Sequence, residues 1–527
     1  MLKKSMWQGV PLLHDFLIQS AERLPHKTAL VCQKRKIPYE KIDKDSNLIA
    51  QSLIRLGVER GDRVMIFGEN SVETATAFWA ILKANAVVSI INPLTKTEKL
   101  LYLLNDCRAK VLIAEARLSS SFESACQRSP HLRGIIIYGD PPGSLLRNLP
   151  NLKTWPNLFQ EAMRPLRADL LPERTCIDLD LASIMYTSGS TGEPKGVMLT
   201  HRNMLAAALS ISTYLEMTED DVVLNLLPLS FDYGLYQMIL SFRVGATLVL
   251  EQSFAYPGQS MKLIAEEKIT AFPGMPMIFS IMKNMKNLDK FDLSSIRFVT
   301  STAATLSLKD IQFLRRTFPS ARIYSMYGLT ECKRCSYLPP EDIDRKPLSV
   351  GVAIPNTEFW VVDEDNHLLG PNEVGMLVVR GATVMKGYWE KPEETQGKLR
   401  SGAFAGEQIL YTGDLCKIDE EGYLYFVGRM DDIIKTRGEK VAPKEVENVI
   451  HSVAGVREVA VIGVEDDVLG QAIKAYVVLE DGSHLTPREI LAYCGQYLET
   501  FMIPKYVEIV DRLPRTHTGK ILKNALR

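Results

Sequence analysis

The chain has 527 residues, of which 46% are hydrophobic and 24% are charged. This length exceeds what one compact core accommodates, so at least two domains are expected. The formal net charge of −1 argues against nucleic acid as the main partner, because no basic excess is available to bind phosphates.

The cysteines and the hydropathy of the chain indicate its compartment. Eight cysteines are scattered without the dense spacing of a secreted disulfide framework. Cys332 and Cys335 form a CxxC, but no second CxxC or nearby His pair completes a zinc site, so they are expected to line a pocket. Neither a signal peptide nor a long apolar run is present. We expect a soluble, cytoplasmic protein with no membrane partner.

Helical and strand patterns alternate through the first third of the chain. The spacing of apolar residues predicts helices over residues 12–23 and 44–56, strands over 28–32, 37–39 and 62–68, and a helix from about residue 71. A second run of the same kind spans about 183–338. Repeated strand and helix units predict an α/β fold of layered, largely parallel sheets.

The segment YTSGSTGEPKG, from Tyr186 to Gly196, combines glycine, hydroxyl residues and one lysine. Glycines permit close backbone approach, so N–H groups can converge on an anion. The P-loop pattern does not fit, because Gly196 follows Lys195 where Ser or Thr is required. The segment predicts a phosphate cradle rather than a surface turn, formed by Thr187, Ser188, Gly189, Ser190, Thr191, Gly192 and Lys195.

Four further motifs follow in order: YGLTE at 327–331, YTGD at 411–414, GRMDD at 428–432 and PRTHTGK at 514–520. Together with the glycine-rich segment they resemble the core motifs of the adenylate-forming (AMP-binding) superfamily. That superfamily holds acyl-CoA synthetases, firefly luciferase and the adenylation domains of nonribosomal peptide synthetases. The resemblance extends from about residue 12 to the end of the chain.

The resemblance implies the domain organisation. Residues 1–430 would form the adenylation core, a large domain of layered α/β subdomains with a small β subdomain around 370–387. Residues 431–527 would form a mobile α+β lid, with Asp431 at the hinge. Within the lid, helices are predicted near 444–452 and 486–499, and strands over 459–464 and 472–479.

The resemblance also implies the chemistry, in which a carboxylate attacks the α-phosphate of ATP and releases pyrophosphate. Thr330 would sit by the α-phosphate, and Glu331 offers the oxygen donor that Mg²⁺ prefers. Asp414 would accept hydrogen bonds from the ribose hydroxyls, Arg429 would support ribose or phosphate, and Tyr327 would stack near adenine. Solvated carboxylates, capped turns or surface ion pairs are the structural alternatives for these residues.

Lys520 is the residue expected to carry the first half reaction. By resemblance it enters the site from the lid and stabilises the charge that builds between the carboxylate and the α-phosphate. Rotation at Asp431 would then replace Lys520 with the lid face near residues 435–439 and open a channel for a thiol. The alternative is an ordinary exposed lysine.

The stretch around Phe231 and Asp232 departs from the usual fatty or aryl acyl-CoA synthetase and resembles the Phe-Asp of amino acid adenylation domains. There the carboxylate pairs with the α-ammonium of the substrate, whose burial without a partner is costly. The alternative is that Asp232 caps a helix that starts at Tyr233.

The remaining pocket positions predicted by motif alignment are mostly apolar and of middle size. They are Tyr233, Tyr236, Ala271, Val299, Ser301, Met326 and Cys335. Such a lining suits a compact, uncharged side chain, and standalone enzymes with this stretch resemble the L-prolyl-carrier-protein ligases of pyrrole and alkaloid pathways. Proline is the leading expectation, although Arg334 would change it by pointing inward.

The acceptor is expected to be separate, since seven residues follow Lys520 and leave no room for a fused carrier domain. It would be the phosphopantetheine of a carrier protein in secondary metabolite biosynthesis, or coenzyme A. The first hypothesis is thus an amino acid:carrier protein ligase. Its alternative is an acyl-CoA or acyl-carrier-protein synthetase for an acid without an amino group. A luciferase-like oxidase or a non-catalytic scaffold is a third possibility, and the intact Lys195, Glu331, Asp414 and Lys520 speak against the scaffold.

Overall fold

A computed structural model describes residues 12–149, 152–162, 170–188, 194–302, 306–436, 439–466, 469–516 and 521–526. Up to the end of the glycine-rich segment, helices and strands alternate as predicted. They are α1 (Asp15–Arg23), β1 (Thr28–Cys32), β2 (Arg35–Pro38), α2 (Tyr39–Arg55), β3 (Arg63–Phe67), α3 (Val72–Lys83), β4 (Val87–Ile91), α4 (Thr97–Asp106), β5 (Val111–Glu115), α5 (Ser119–Gln127), β6 (Gly134–Tyr138), α6 (Gly143–Asn148), β7 (Leu152–Thr154), α7 (Trp155–Ala162), β8 (Leu181–Ser188) and β9 (Pro194–Thr200).

The same alternation continues into the middle of the chain, and a region of short strands follows it. The elements are α8 (His201–Tyr214), β10 (Val222–Asn225), α9 (Asp232–Val244), β11 (Thr247–Leu250), α10 (Pro257–Glu266), β12 (Ala271–Gly274), α11 (Pro276–Lys283), β13 (Phe298–Ser301), α12 (Leu308–Thr317), β14 (Arg322–Leu329), β15 (Cys332–Tyr337), β16 (Val352–Ala353), β17 (Thr357–Val362), β18 (Gly375–Gly381), β19 (Gly387–Tyr388), α13 (Pro392–Lys398), β20 (Leu399–Ser401), β21 (Gln408–Ile418) and β22 (Leu424–Arg429).

The last hundred residues form a smaller α+β unit with its own core. Its elements are β23 (Ile434–Thr436), β24 (Glu439–Val441), α14 (Pro443–His451), β25 (Val456–Asp466), β26 (Gly470–Leu479), α15 (Pro487–Tyr497) and β27 (Tyr506–Ile509). Both predicted helices and both predicted strands of this unit are present. Its sheet has the order β24-β23-β26-β25, with β27 added beside β26.

The first sheet has the order β19-β9-β8-β4-β3-β5-β6-β7, and the second has the order β16-β15-β14-β13-β12-β10-β11-β1-β2. Neighbouring strands are parallel from β8 to β7 in the first sheet and from β14 to β1 in the second. The pairs β8–β9 and β14–β15 are antiparallel. A third, antiparallel sheet has the order β17-β18-β21-β20, with β22 beside β21. The predicted α/β architecture is therefore confirmed, and the predicted β subdomain corresponds to the third sheet.

Helices of the first two sheets share one hydrophobic core. Trp79 of α3 stacks on Phe242 of α9 with ring centroids 5.2 Å apart, and Tyr39 of α2 contacts the same phenylalanine edge-on at 5.3 Å. The Tyr39 hydroxyl donates to the carbonyl oxygen of Ala246 at 2.6 Å. These contacts pack α2 and α3 against α9.

Differences from the predicted elements lie at their boundaries. The helix predicted over 44–56 begins at Tyr39, and its first turns combine the buried Tyr39 and Ile42 with exposed ion pairs such as Lys44–Glu40 at 2.7 Å. The helix predicted from Ser71 is α3, and the Ser71 hydroxyl accepts from the Thr74 N–H at 3.0 Å as an N-cap. Within the ranges given above, no helix is both long enough and apolar enough to cross a bilayer.

Candidate functional site

Tyr327, Asp414 and Arg429 come from three separate motifs and lie against one another. Asp414 in β21 is opposite Arg429 in β22, and Arg429 Nε lies 3.4 Å from Asp414 Oδ1. The Tyr327 hydroxyl donates to Asp414 Oδ2 at 2.5 Å. Gly413 precedes the carboxylate with a φ of +78°, which glycine adopts without strain. The three motifs thus build one cluster around a largely buried carboxylate.

Burial and the neighbouring Asp414 carboxylate hold the pKa of Tyr327 well above its usual range. The tyrosine therefore keeps its proton and remains a hydrogen-bond donor to Asp414. A carboxylate held from two sides is suited to accept further hydrogen bonds at a fixed position.

Lys195 and Glu331 are connected through the side chain of Tyr388. Lys195 Nζ lies 5.7 Å from the centroid of the Tyr388 ring, and the Tyr388 hydroxyl donates to Glu331 Oε1 at 2.7 Å. The first contact is within the range of a cation–π interaction. The main-chain oxygen of Glu331 also accepts from the N–H of Met385 at 2.8 Å. The lysine of the glycine-rich segment and the acidic residue of YGLTE are thus brought together.

Tyr388 is a site residue to which the sequence analysis assigns no role. It lies in β19, opposite Val197 of β9, and the N–H of Trp389 donates to the carbonyl oxygen of Gly196 at 2.7 Å. The signal in the sequence is the run Gly387-Tyr388-Trp389 at the end of the predicted β subdomain. That run supplies a short strand that docks beside the glycine-rich segment.

The glycine-rich segment connects two strands of a hairpin. Thr187 is opposite Lys195, and Ser188 is opposite Pro194, in the antiparallel pair β8–β9. Gly189, Ser190, Thr191 and Gly192 lie outside the described residues, as does the side chain of Ser188. The two ends of the predicted phosphate cradle are therefore adjacent.

Thr330 and Glu331 form the turn between β14 and β15, in which Leu329 is opposite Cys332. Both turn residues are half-buried. A Cβ added at Gly328 would lie 2.9 Å from the carbonyl oxygen of Lys333, so the close approach of the two strands requires glycine. The turn presents Glu331 to Tyr388.

The residues predicted to bind the acid are all buried on α9 or on neighbouring strands of the second sheet. Tyr233 and Tyr236 lie on α9, Ala271 on β12, Val299 and Ser301 on β13, Met326 on β14, and Cys335 on β15. The Tyr233 hydroxyl donates to the carbonyl oxygen of Thr300 at 3.0 Å, which ties α9 to the end of β13.

Ala271 differs from the others because it begins its strand. Gly274 ends β12 and is opposite Ser301 in the parallel pair β12–β13. Ala271 and Gly274 are three residue steps apart along the strand, a span of about 10 Å. Ala271 therefore lies away from the strand end at which Ser301 is found.

Asp232 pairs with Lys333, a residue with no role in the sequence analysis. Lys333 Nζ lies 3.3 Å from Asp232 Oδ2, and the two side chains are 3% and 13% exposed. Lys333 Nζ also lies 4.4 Å from the centroid of the Tyr236 ring. A substrate ammonium at Asp232, as predicted, would therefore compete with an ammonium of the protein itself.

The alternative for Asp232, a cap on a helix starting at Tyr233, is wrong. Helix α9 starts at Asp232, Phe231 occupies the N-cap position, and no side chain caps the helix. A carboxylate in the first turn still complements the helix dipole. The long-range partner, Lys333, rather than the local backbone, determines where the Asp232 side chain points.

We expect the Lys333–Asp232 pair to make the stability of the protein depend on alkaline pH. Burial, only partly offset by Asp232, lowers the pKa of Lys333 to about 8. Between that pH and the ordinary lysine pKa near 10.5, the unfolded chain binds a proton that the folded chain has released. The contribution of Lys333 to the free energy of unfolding therefore rises with pH across this window.

Urea unfolding of the wild type and of the double variant Asp232→Asn/Lys333→Met, at about pH 7.5 and about pH 9.5, measures this contribution. The difference in unfolding free energy between the two proteins should shift in favour of the wild type by about 2 kcal/mol at the higher pH. An equal pH dependence in both proteins would contradict the expectation. The double variant serves as the control because it removes both charges and leaves neither unpaired.

The CxxC cysteines are buried, as expected of pocket or core residues. Cys332 Sγ lies 3.2 Å from Thr383 Oγ1, and the neighbouring Cys332 together with burial raises the pKa of the Cys335 thiol well above its usual range. Among the described residues, the group with the spacing of metal ligands is instead Asp363, Asp365 and His367, in an exposed turn.

Two predicted residues of the carboxyl-terminal unit cannot be placed. Lys520 lies outside the described residues, and so does the side chain of Asp431. The backbone of Asp431 belongs to a short 3₁₀ turn, Met430–Asp432, between β22 and β23. That turn separates the main core from the core of the smaller unit.

Known proteins are similar to this chain over nearly its whole length. The long-chain-fatty-acid–CoA ligase of Bacillus subtilis (strain 168) is 31% identical, with 98% of this chain and 94% of that protein covered. The anthranilate CoA ligase AuaEII in complex with anthranoyl-AMP superposes with a TM-score of 0.88 at 29% identity, covering 98% and 96% of the two chains.

A further structure, the o-succinylbenzoate CoA synthetase of Bacillus subtilis in complex with its acyl-adenylate, has a TM-score of 0.81 at 26% identity, with 98% of each chain covered. Residues 17–389 match the family described as AMP-binding enzyme, and residues 445–520 match the AMP-binding enzyme C-terminal domain. The chain therefore belongs to the AMP-binding enzyme family, within the adenylate-forming superfamily.

Proposed function

We propose that this protein is an AMP-forming acid–thiol ligase that activates a carboxylic acid without an amino group and transfers it to coenzyme A. The ion pair between Asp232 and Lys333 carries the proposal. Because Lys333 already neutralises Asp232, a substrate ammonium entering this pocket would meet a buried cation instead of a waiting carboxylate. The relatives named above as CoA ligases for fatty acids, anthranilate and o-succinylbenzoate support the same acceptor.

ATP would bind between the cluster of Tyr327, Asp414 and Arg429 and the residues Lys195, Glu331 and Tyr388. Asp414 would accept hydrogen bonds from the ribose hydroxyls, supported by Arg429 and by Tyr327 near the adenine. The backbone and hydroxyls of residues 187–192 would hold the outer phosphates with Lys195, and Thr330 would contact the α-phosphate. Aligning the reactants and neutralising charge account for most of the catalysis that such a site offers.

Glu331 fits the requirement of Mg²⁺ for carboxylate oxygens. One of its oxygens accepts from Tyr388, which orients the carboxylate. Mg²⁺ bound there with ATP would supply positive charge against the phosphates. Tyr388 would orient the carboxylate of Glu331 and would keep Lys195 on the same side of the bound nucleotide.

The boundary at residues 430–431 would separate the adenylation core from a lid that carries Lys520. Asp431 would act as the hinge, and its turn Met430–Asp432 is the junction between the two hydrophobic cores. Rotation at this junction would exchange Lys520 for another lid face before thiol attack.

A second candidate is the ligation of an amino acid, with L-proline the leading case, to the phosphopantetheine of a separate carrier protein. The observation in its favour is the Phe231-Asp232 dipeptide at the start of α9. It requires Lys333 to leave Asp232 when the substrate binds. The two candidates therefore differ in substrate class and in acceptor.

Product analysis with both acceptors tests the proposal. The purified protein, ATP and Mg²⁺ are incubated with fatty, aryl and short dicarboxylic acids or with the proteinogenic amino acids, and either CoA or a phosphopantetheinylated carrier protein is added. Mass spectrometry should detect acyl-CoA from acids that lack an amino group. Thioester formed with proline on the carrier, and none on CoA, would overturn the proposal in favour of the second candidate.

A further inference from the structure

Arg334 is a buried cation next to the acid-binding residues. Its side chain is enclosed in β15 at 2% exposure, and its guanidinium carbon lies 5.4 Å from the centroid of the Tyr233 ring. Its Nε and Nη1 atoms are buried with no hydrogen-bond partner among the described residues. Guanidinium groups in proteins are positively charged at physiological pH.

The ion pair next to Arg334 does not supply it with a counter-charge. The nearby carboxylate of Asp232 is paired with Lys333, so this pair is neutral and Arg334 adds one positive charge beside it. A cation–π contact with Tyr233 offsets part of the desolvation cost, but it supplies no acceptor to the two unpartnered N–H groups. Such a buried guanidinium calls for an anion, and no described residue accepts a hydrogen bond from its Nε or Nη1.

Further hydrogen-bonding groups without a partner are found among the predicted acid-binding residues. The hydroxyl of Tyr236 and the hydroxyl of Ser301 are both buried, and neither has a hydrogen-bond partner among the described residues. Both residues belong to the predicted acid-binding set. A ligand with several oxygen atoms would satisfy these groups, whereas an alkyl chain would leave them all unsatisfied.

We infer that the acid activated by this enzyme carries a second carboxylate, which Arg334 binds while the first carboxylate reacts with ATP. The inference rests on the proposed ligase function and specifies its substrate class as compact dicarboxylic acids. A planar carboxylate matches the donors of a guanidinium in a bidentate pair. The buried aromatic rings of Tyr233 and Tyr236 leave the pocket suited to a short linker between the two carboxylates.

Matched pairs of acids test this inference through ATP–pyrophosphate exchange. Each pair shares a carbon skeleton and differs by one carboxylate: butyrate with succinate, hexanoate with adipate, and benzoate with phthalate. We expect kcat/KM for at least one diacid to exceed that of its monoacid partner by about 100-fold, the discrimination that a charge-assisted pair provides.

Variants then assign the preference to Arg334. Arg334→Met should reduce the ratio between diacid and monoacid by about 100-fold, chiefly through the KM of the diacid, since a group remote from the reacting atoms contributes to binding. Arg334→Lys should restore part of the ratio, because it retains the charge. Arg316→Met, at an exposed arginine of α12, is the matched control and should leave the ratio unchanged.

The outcomes separate this inference from the function on which it rests. Exchange that favours monoacids, or a diacid preference unaltered in a folded Arg334→Met variant, overturns the inference and leaves the ligase function standing. Exchange with no acid of any class contradicts both. A diacid preference that follows the charge at position 334 supports the inference.

Discussion

Replacing Lys520 with alanine is expected to slow formation of the acyl-adenylate by about 100- to 1,000-fold, the usual effect of removing one group that stabilises transition-state charge. The expectation rests on the PRTHTGK motif and on the match of residues 445–520 to the AMP-binding enzyme C-terminal domain. An ammonium beside the attacking carboxylate and the α-phosphate would neutralise charge that grows only as the new bond forms. Its loss should therefore lower kcat more than it raises KM.

The second half reaction shows whether the loss is confined to formation of the acyl-adenylate. A chemically synthesised acyl-adenylate supplied with CoA bypasses the step that needs Lys520, so the variant should convert it to the thioester at close to the wild-type rate. Lys523→Ala is the matched control, because Lys523 lies three residues further on and pairs with Glu447 at 2.7 Å within the same unit. Equal losses in both half reactions would show that Lys520 maintains the lid instead of serving adenylation.

Much of the fold follows from local sequence patterns, and the structure shows why. Strand β1 has the predicted bounds, and α3 begins after the predicted Ser71, since a run of apolar residues or a capping hydroxyl specifies these elements within a few positions. The first turns of α2 are not predicted because charged residues such as Glu40 and Lys44 interrupt the apolar pattern around the buried Tyr39 and Ile42.

The site divides in the same way. Tyr327, Asp414 and Arg429 could be grouped in advance because each belongs to a distinctive motif, and the structure brings them into contact. The partner of Asp232 could not be predicted, because Lys333 lies 101 positions further along the chain. The two residues meet only where α9 packs against β15. The place of Tyr388 in the site could not be predicted for a related reason. Its position depends on the pairing of a two-residue strand with β9.

Asp414→Asn is expected to raise the KM for ATP by about 100-fold or more. If Asp414 accepts hydrogen bonds from both ribose hydroxyls, each charge-assisted bond contributes about 1.5–3 kcal/mol, and an amide retains one weaker acceptor. The variant should affect ATP and leave the KM for the acid nearly unchanged, because the predicted acid-binding residues lie on α9 and the second sheet. Pyrophosphate exchange at varied ATP and then at varied acid measures the two constants.

Tyr327→Phe distinguishes direct binding of ATP by Asp414 from a structural role. The Tyr327 hydroxyl is a donor to Asp414, so its removal leaves the carboxylate charged and in place against Arg429. If Asp414 binds the ribose, Tyr327→Phe should raise the KM for ATP by only about tenfold, the value of one hydrogen bond to a charged group. If Asp414 instead holds β21 and β22 together, Asp414→Asn should lower the melting temperature and impair both substrates alike. A selective loss of ATP affinity at an unchanged melting temperature would mean that the cluster of Tyr327, Asp414 and Arg429 exists to bind the nucleotide.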